Sequence, residues 1–262
     1  LRKTFGSYTV KLLLEKQFLE ISKVQVEEGP LAGKVFPSDK PHKLTSAQIQ
    51  VVRKIRNSIN NESYQDRIFL LHGITGSGKT EVYLNAVQTC LEKGKRAIIL
   101  VPEISLTPQI IERFAARFPR EIAVLHSRLT QDQLAHQWWN IRNGRYKIVI
   151  GPRSAVFAPQ PNLGLLVVDE EHEWTYKEDY LTPRYHARAI ALKISELNQS
   201  TVILGSATPD ISTYYHALNK RISLLELPFR VNITPKKPQG LNLLDKGLPL
   251  VSIVDMRKEL RQ

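Results

Sequence analysis

An α/β fold, a mostly parallel sheet flanked by helices, is what this sequence predicts, and three observations predict it. From Leu44 onward, short apolar runs of strand length alternate with longer amphipathic segments, the pattern left by buried strands joined through covering helices. The first run leads into a glycine turn that ends in Gly78-Lys79-Thr80, and a later run leads straight into the acids Asp169 and Glu170. Both sets of residues fall beyond the carboxyl ends of strands, where α/β sheets place their ligands.

Taken in order, residues 1–43 offer a strand-like run from Tyr8 to Leu14 and then a turn-rich stretch through Gly29, Pro30, Gly33, Pro37 and Pro41. That punctuation reads as a domain boundary. Strands are expected at Ile68 to Leu71, Ala97 to Val101, Ile122 to Leu125, Lys147 to Ile150, Leu165 to Val168 and Thr201 to Leu204. Among the helices between them, Leu106, Ile110, Ile111, Phe114, Ala115 and Phe118 share one face before Pro119, and Ala187, Ile190, Ile194 and Leu197 repeat the pattern. Trp138 and Trp139 lie in another helical segment and read as core. Residues 44–232 therefore form the lobe. After Arg230 the text becomes rich in proline and lysine (Pro235, Lys236, Lys237, Pro238) and offers one more apolar run, Leu250 to Val254. One strand is not a domain, so residues 233–262 read as a linker plus the first strand of something further.

Composition sets the outer bounds. A chain of 262 residues with 42% apolar content can bury one full core and some flanking pieces, but not two complete domains. Lys and Arg number 37 against 25 Asp and Glu, a formal charge of +12 that suits a polyanionic partner and equally describes a solvated basic surface. No apolar run reaches the roughly 18 residues of a membrane-spanning helix, and Leu1-Arg2-Lys3 does not open a signal peptide. A cytoplasmic protein with no membrane partner is expected. The one cysteine, Cys90, excludes an internal disulfide or a thiolate zinc cluster and reads as buried and inert. Met256 is the only methionine, so the text is expected to begin inside a longer product.

Gly73-Ile74-Thr75-Gly76-Ser77-Gly78-Lys79-Thr80 matches G-x-x-x-x-G-K-[ST] between an apolar strand and a helix that runs to about Leu91. Glycines let backbone N–H groups turn inward onto phosphate oxygens, and the helix N-terminus adds positive partial charge. Lys79 can then reach the β and γ phosphates of ATP, while Thr80 can ligate Mg²⁺. Asp169-Glu170-Glu171-His172 follows Leu165 to Val168, which places Asp169 to hold the magnesium and Glu170 to orient and deprotonate the attacking water. Ser206-Ala207-Thr208 follows the next strand. There Thr208-Pro209-Asp210 reads first as an N-cap, although the same hydroxyls could report the nucleotide state.

In that order, the phosphate loop, the acids and S-A-T resemble the first RecA-like lobe of superfamily 2 helicases. The wording GITGSGKTEVY, LVPEISLTPQ, LHSRLT, GPRSAVFAP, VVDEEHEWTYK, RYHAR and LGSATPD narrows this to the primosomal replication-restart helicase family, over about Leu44 to Arg230. The resemblance implies ATP-driven 3'-to-5' movement on single-stranded DNA at forks, in a bacterial, nucleoid-associated setting, with primosome and single-strand-binding proteins as partners. It also implies that Gln48, with Leu44 and Thr45, reads the adenine edge, although a polar helix N-terminus describes these residues equally well. His172, Ser206 and Thr208 become coupling residues.

Pro102 to Thr107 and Gly151-Pro152-Arg153-Ser154 sit where such lobes meet the DNA backbone, and an arginine beside a hydroxyl suits phosphate oxygens. Trp174 to Tyr185 resembles the family's aromatic-rich loop. Bases can stack on Trp174, Tyr176, Tyr180 or Tyr185 while Lys177, Arg184 and Arg188 meet phosphates, with at least one of the four rings expected to be structural. The chain departs from the family at Glu173-Trp174, where a small or acidic pair is usual, and at Ala189, where an acid is usual.

By the same resemblance, residues 1–43 belong to a winged-helix and linker region, and Val251 to Arg257 enters a second lobe that would carry the arginine finger and the inserted zinc sites. The domain that binds the 3' end of a nascent strand would also lie outside this chain. Two rivals remain: a non-catalytic DNA-structure or primosome-assembly module, and a P-loop kinase, which would lack S-A-T and the aromatic loop.

Overall fold

A computed structural model describes residues 7–19, 39, 41–61, 66–105 and 108–231. Helix α1 (Ser7–Glu15) comes first, followed by α2 (Ser46–Asn60), β1 (Ile68–Gly73), α3 (Lys79–Glu92), β2 (Arg96–Leu100), α4 (Pro108–Arg117) and β3 (Ile122–Val124). Next are α5 (Gln131–Arg142), β4 (Ile148–Gly151), β5 (Leu163–Asp169) and a small ribbon of β6 (Lys177–Glu178) and β7 (Tyr185–His186). The lobe closes with α6 (Ala187–Asn198), β8 (Thr201–Ser206), α7 (Ile211–Leu218) and β9 (Ser223–Leu227).

Seven strands make one sheet in the order β3-β4-β2-β5-β8-β1-β9. Every pairing in it is parallel. This is the expected α/β fold, and its strands read as continuous apolar runs because helices cover both faces. Alternate side chains feed two core layers, with Phe69 and Leu71 in one and Leu70 in the other. The first layer packs the sheet against Ile55 of α2, Val82 and Val87 of α3 and Phe114 of α4. The second packs it against Ile141 of α5 and Ala187 and Ala191 of α6. Since β8 alone separates β1 from β5, the loops leaving those two strands open side by side on one edge.

Three expectations need correction. Tyr8 to Leu14 is helical, because its least exposed residues, Val10, Leu13 and Leu14, are spaced i, i+3, i+4 rather than alternately. Trp138 and Trp139 are 36% and 55% exposed, since α5 turns Gln137, Asn140 and Ile141 inward instead. Arg142 lies over both indoles, 5.4 and 5.5 Å from their centres. Leu197, assigned to the apolar face of α6, is exposed. Strand β9, at the sheet edge beside β1, has no counterpart among the expected strands. Cys90 is buried as expected, and burial pushes its thiol up to about 12. By its contacts the chain divides into Leu1–Val231 and Asn232–Gln262. The linker and the Leu250 to Val254 run lie outside the described residues, as do Leu106 and Thr107. No helix among the described residues is long and apolar enough to cross a membrane.

Candidate functional site

Strand β1 ends at Gly73 and the chain turns back before α3 begins at Lys79. Gly76 and Gly78 sit at φ 81° and 82°, a left-handed conformation that glycine adopts without strain. Ile74 and Thr75 stand exposed at the rim, while Ser77 is buried and its hydroxyl has no hydrogen-bond partner. A buried hydroxyl in a glycine turn can bond an oxygen of a group held there. Lys79 Nζ donates to the Gly73 carbonyl at 3.0 Å and lies 3.5 Å from Glu170 Oε1. Thr80 follows in the first turn of α3, half-buried. The end of the lobe straps the loop from outside, Val231 N donating to the Gly76 carbonyl at 2.9 Å.

Gln48 also clamps the loop, which changes its expected role. Its Oε1 accepts from Thr45 N at 2.9 Å in the capping box of α2, and its Nε2 donates to the Ser77 carbonyl at 2.9 Å. With 3% exposure this amide faces protein groups, its oxygen on Thr45 and its N–H on the Ser77 carbonyl.

Asp169 ends β5. Two buried tyrosines hold it, Tyr83 Oη donating to Asp169 Oδ1 at 2.8 Å and Tyr176 Oη donating to its carbonyl at 2.6 Å. Burial, reinforced by the negative charge of Glu170, pushes the Asp169 carboxyl up to about 6 against the pull of Tyr83 and Lys79. The next residue, Glu170, has φ 46°, an uncommon setting for a residue with a side chain and one that gathers at functional sites. It places the Glu170 carboxylate between Lys79 and His172, whose Nδ1 is 3.7 Å away. His172 Nδ1 also meets Ser206 Oγ at 2.7 Å, and its Nε2 lies 3.4 Å from Thr208 Oγ1. Ser206 Oγ accepts from Thr208 N at 2.9 Å, while the N-cap of α7 is Asp210, not Thr208.

A hydroxyl from Thr80 and a carboxylate from Asp169 are hard oxygen donors of the kind Mg²⁺ takes when phosphates complete its shell. Among the described residues no group of three His, Cys, Asp or Glu side chains could hold a metal ion.

Beyond His172 the aromatic segment forms an arm. Trp174 and Tyr180 project from it, 74% and 86% exposed, and Lys177 and Arg184 are exposed beside them. Tyr185 is half-buried, edge-on to Phe157. Tyr176 is fully buried and cannot stack on a base, because its hydroxyl is needed under Asp169. Arg153 is likewise redirected. Its guanidinium donates to the Lys177 carbonyl at 3.0 Å and pairs with Glu178, while Ser154 beside it stays exposed. The backbone N–H groups of Leu181 and Tyr180, with Arg153, hold the Glu178 carboxyl below its ordinary value. Arg188 is bound to Glu171 and Thr213 rather than left to meet phosphate.

Sequence reasoning passed over several residues. Tyr83 carries no local signal; its burial in the fold obliges the phenol to find a partner, which is Asp169. Glu81, 3% exposed, receives Arg113 at 3.0 Å and Arg117 at 3.2 Å from α4, which no local pattern announced. Glu171 was overshadowed by its neighbours in the acidic run.

Residues 41–211 match the family model described as Type III restriction enzyme, res subunit. The replication restart protein PriA of Bacillus subtilis (strain 168) is 43% identical over 98% of this chain and 30% of that protein. PriA of Synechocystis sp. is 48% identical over 74% of this chain and 22% of that protein. The resemblance read from the motifs is thereby borne out, and the chain spans less than a third of the length of these relatives. Among solved structures, RecG bound to a three-way DNA junction matches at TM-score 0.53 and 24% identity, over 76% of this chain and 25% of that one. A hypothetical ATP-dependent RNA helicase from Sulfolobus tokodaii matches at 0.51 and 14%, over 84% and 57%. At these identities the likeness is one of fold, that of a RecA-like helicase lobe.

Proposed function

We propose that this chain, which belongs to the family of the type III restriction enzyme res subunit, is the ATP-binding first lobe of a longer replication-restart DNA helicase. One observation carries the reading: Lys79, at the start of α3, and Glu170, just after β5, meet at 3.5 Å beside a glycine turn whose buried Ser77 hydroxyl is unpaired. In the proposed mechanism the loop N–H groups and Ser77 receive phosphate oxygens. Lys79 then leaves the Gly73 carbonyl for the β and γ phosphates. Thr80 and Asp169 would hold Mg²⁺, which when bound neutralises charge developing on the transferred phosphoryl group. Glu170, drawn away from Lys79, accepts a proton from the attacking water.

Trp174 and Tyr180 offer stacking faces for single-stranded DNA, and Lys177 and Arg184 offer charge for its phosphates. His172, 3.7 Å from Glu170, is assigned to coupling together with Ser206 and Thr208, which it meets. The full-length polypeptide is proposed to move 3'-to-5' on single-stranded and forked DNA with primosome and single-strand-binding proteins, in the bacterial cytoplasm at the nucleoid. The isolated lobe binds nucleotide but hydrolyses it feebly, because an arginine finger contributes on the order of 10³ to 10⁵ in rate to related chemistry.

The test is ATP hydrolysis by the full-length polypeptide with and without single-stranded DNA, alongside displacement of strands from substrates tailed at the 3' or the 5' end. Stimulation by DNA, its loss in Lys79→Ala and unwinding from one tail polarity are expected. Absence of stimulation, with Lys79→Ala indistinguishable from the parent, would replace this reading with that of a non-catalytic assembly module.

A further inference from the structure

Glu171 carries a charge into the interior beside the hydrolytic residues and has no part in the chemistry described so far. Its side chain is fully buried. Oε2 accepts from Arg188 and from Thr213 Oγ1 at 3.0 Å, Oε1 accepts from Asp210 N at 2.7 Å, and the Glu171 backbone N–H donates to the Gly205 carbonyl at 3.0 Å. Arg188 completes the cluster by donating to Thr213 Oγ1 at 2.9 Å and lying 3.6 Å from Asp210 Oδ1. Burial on this scale is costly for a lone carboxylate and is tolerated because both oxygens accept hydrogen bonds and Arg188 supplies the opposite charge.

The cluster draws on three parts of the chain. Arg188 is the second residue of α6, which continues β7, the return leg of the aromatic arm. Asp210 and Thr213 begin α7, which follows the Ser206 and Thr208 hydroxyls that hold His172. Glu171 itself directly follows Glu170. The outgoing leg of the arm is pinned separately by Arg153, through the Thr175 and Lys177 carbonyls and Glu178. Arg188 therefore links the return leg of the arm to the buried Glu171.

We propose that the Glu171–Arg188 pair is the joint through which DNA on the arm and nucleotide in the glycine loop sense each other, a pair of positioning residues rather than catalytic ones. The proposal rests on the function proposed above. Loading the arm draws on Arg188, and Arg188 shifts Glu171, with the Glu170 carboxylate on one side of it and His172 on the other. Coupling of this kind is reciprocal in equilibrium binding, so the nucleotide must change DNA affinity by the same factor by which DNA changes nucleotide affinity.

The experiment measures, in the full-length polypeptide, the ratio of DNA-stimulated to basal hydrolysis and the affinity for a fluorescent oligothymidine with and without a non-hydrolysable ATP analogue. Glu171→Gln and Arg188→Lys are compared with the parent, Arg188→Lys keeping the charge but replacing the planar fork by a single point donor. Parental coupling, on the order of 5- to 150-fold, is expected to fall toward unity in both variants while basal hydrolysis and DNA affinity without nucleotide each stay within about threefold. Should Glu171→Gln fail to fold by circular dichroism, Arg188→Lys and Thr213→Val carry the same readouts. Two results overturn the joint: a folded variant that keeps parental coupling, or one in which basal and stimulated rates fall together so that their ratio is unchanged. A parent without any DNA response would fail the proposed function itself, and that is seen before any variant is made.

Discussion

Replacing Gly205 by alanine isolates one packing requirement of the nucleotide site. Gly205 lies in β8, level with Leu71 of β1 and Asp169 of β5, and it is not among the residues with positive φ. The backbone thus accepts alanine. The added Cβ, however, would fall on the phenol oxygen of Tyr83, which is 2% exposed and donates to Asp169. Overpacking of this kind costs about 1–3 kcal/mol. Forcing the phenol aside leaves a buried carboxylate short of a donor, at about 1–3 kcal/mol more. The sum, roughly 2–6 kcal/mol, lowers the melting temperature by about 4–24 °C for a domain of this size. Urea unfolding followed by tryptophan fluorescence reads it. Tyr83→Phe removes the oxygen that the Cβ strikes and costs only the hydrogen-bond share. The double variant is accordingly expected to be more stable than the sum of the two single losses implies. A Gly205→Ala chain within about 0.5 kcal/mol of the parent, or strict additivity of the pair, refutes the packing argument.

Trp174→Ala and Tyr180→Ala should each weaken oligothymidine binding roughly 5- to 150-fold without a stability cost, whereas Tyr176→Phe should lose about 1 kcal/mol of stability and leave DNA affinity alone. Fluorescence anisotropy and thermal melting separate these outcomes, and the opposite pattern would return Tyr176 to the DNA surface. Arg153→Ala frees the outgoing leg of the arm, so limited proteolysis should cut residues 174–186 sooner in a chain that melts cooperatively; an unchanged cleavage pattern counts against the strut. Burial raises the Asp169 carboxyl from 3.8 to about 6. In the metal-free chain its favourable contribution is therefore full below about 3.8 and lost as pH rises through about 6. Magnesium needs the charged form, so magnesium-dependent binding of a fluorescent nucleotide should weaken as pH falls below about 6. Identical pH profiles with and without the cation would argue that Asp169 is not its ligand.

The parallel sheet, the glycine turn and the acids at its edge were legible from the residues alone. A buried parallel strand needs a continuous apolar run, and a turn through positive φ needs glycine, at Gly76 and Gly78 here. Both are demands the backbone makes on its own residues, so they are written locally. The roles of polar and aromatic side chains were not. Tyr176 and Trp174 look alike in sequence, yet one lies under Asp169 and the other stands in solvent. Arg153 and Arg188 carried the charge expected of phosphate contacts but were taken by Glu178 and Glu171, and Gln48 was taken by the Ser77 carbonyl.

In each case the partner lies on another element, and only the packing of those elements brings the two together. Local chemistry determined which atoms want a partner in this chain. The tertiary fold decided which partner each received, because burying a polar group obliges it to bond with whatever the packing has set beside it.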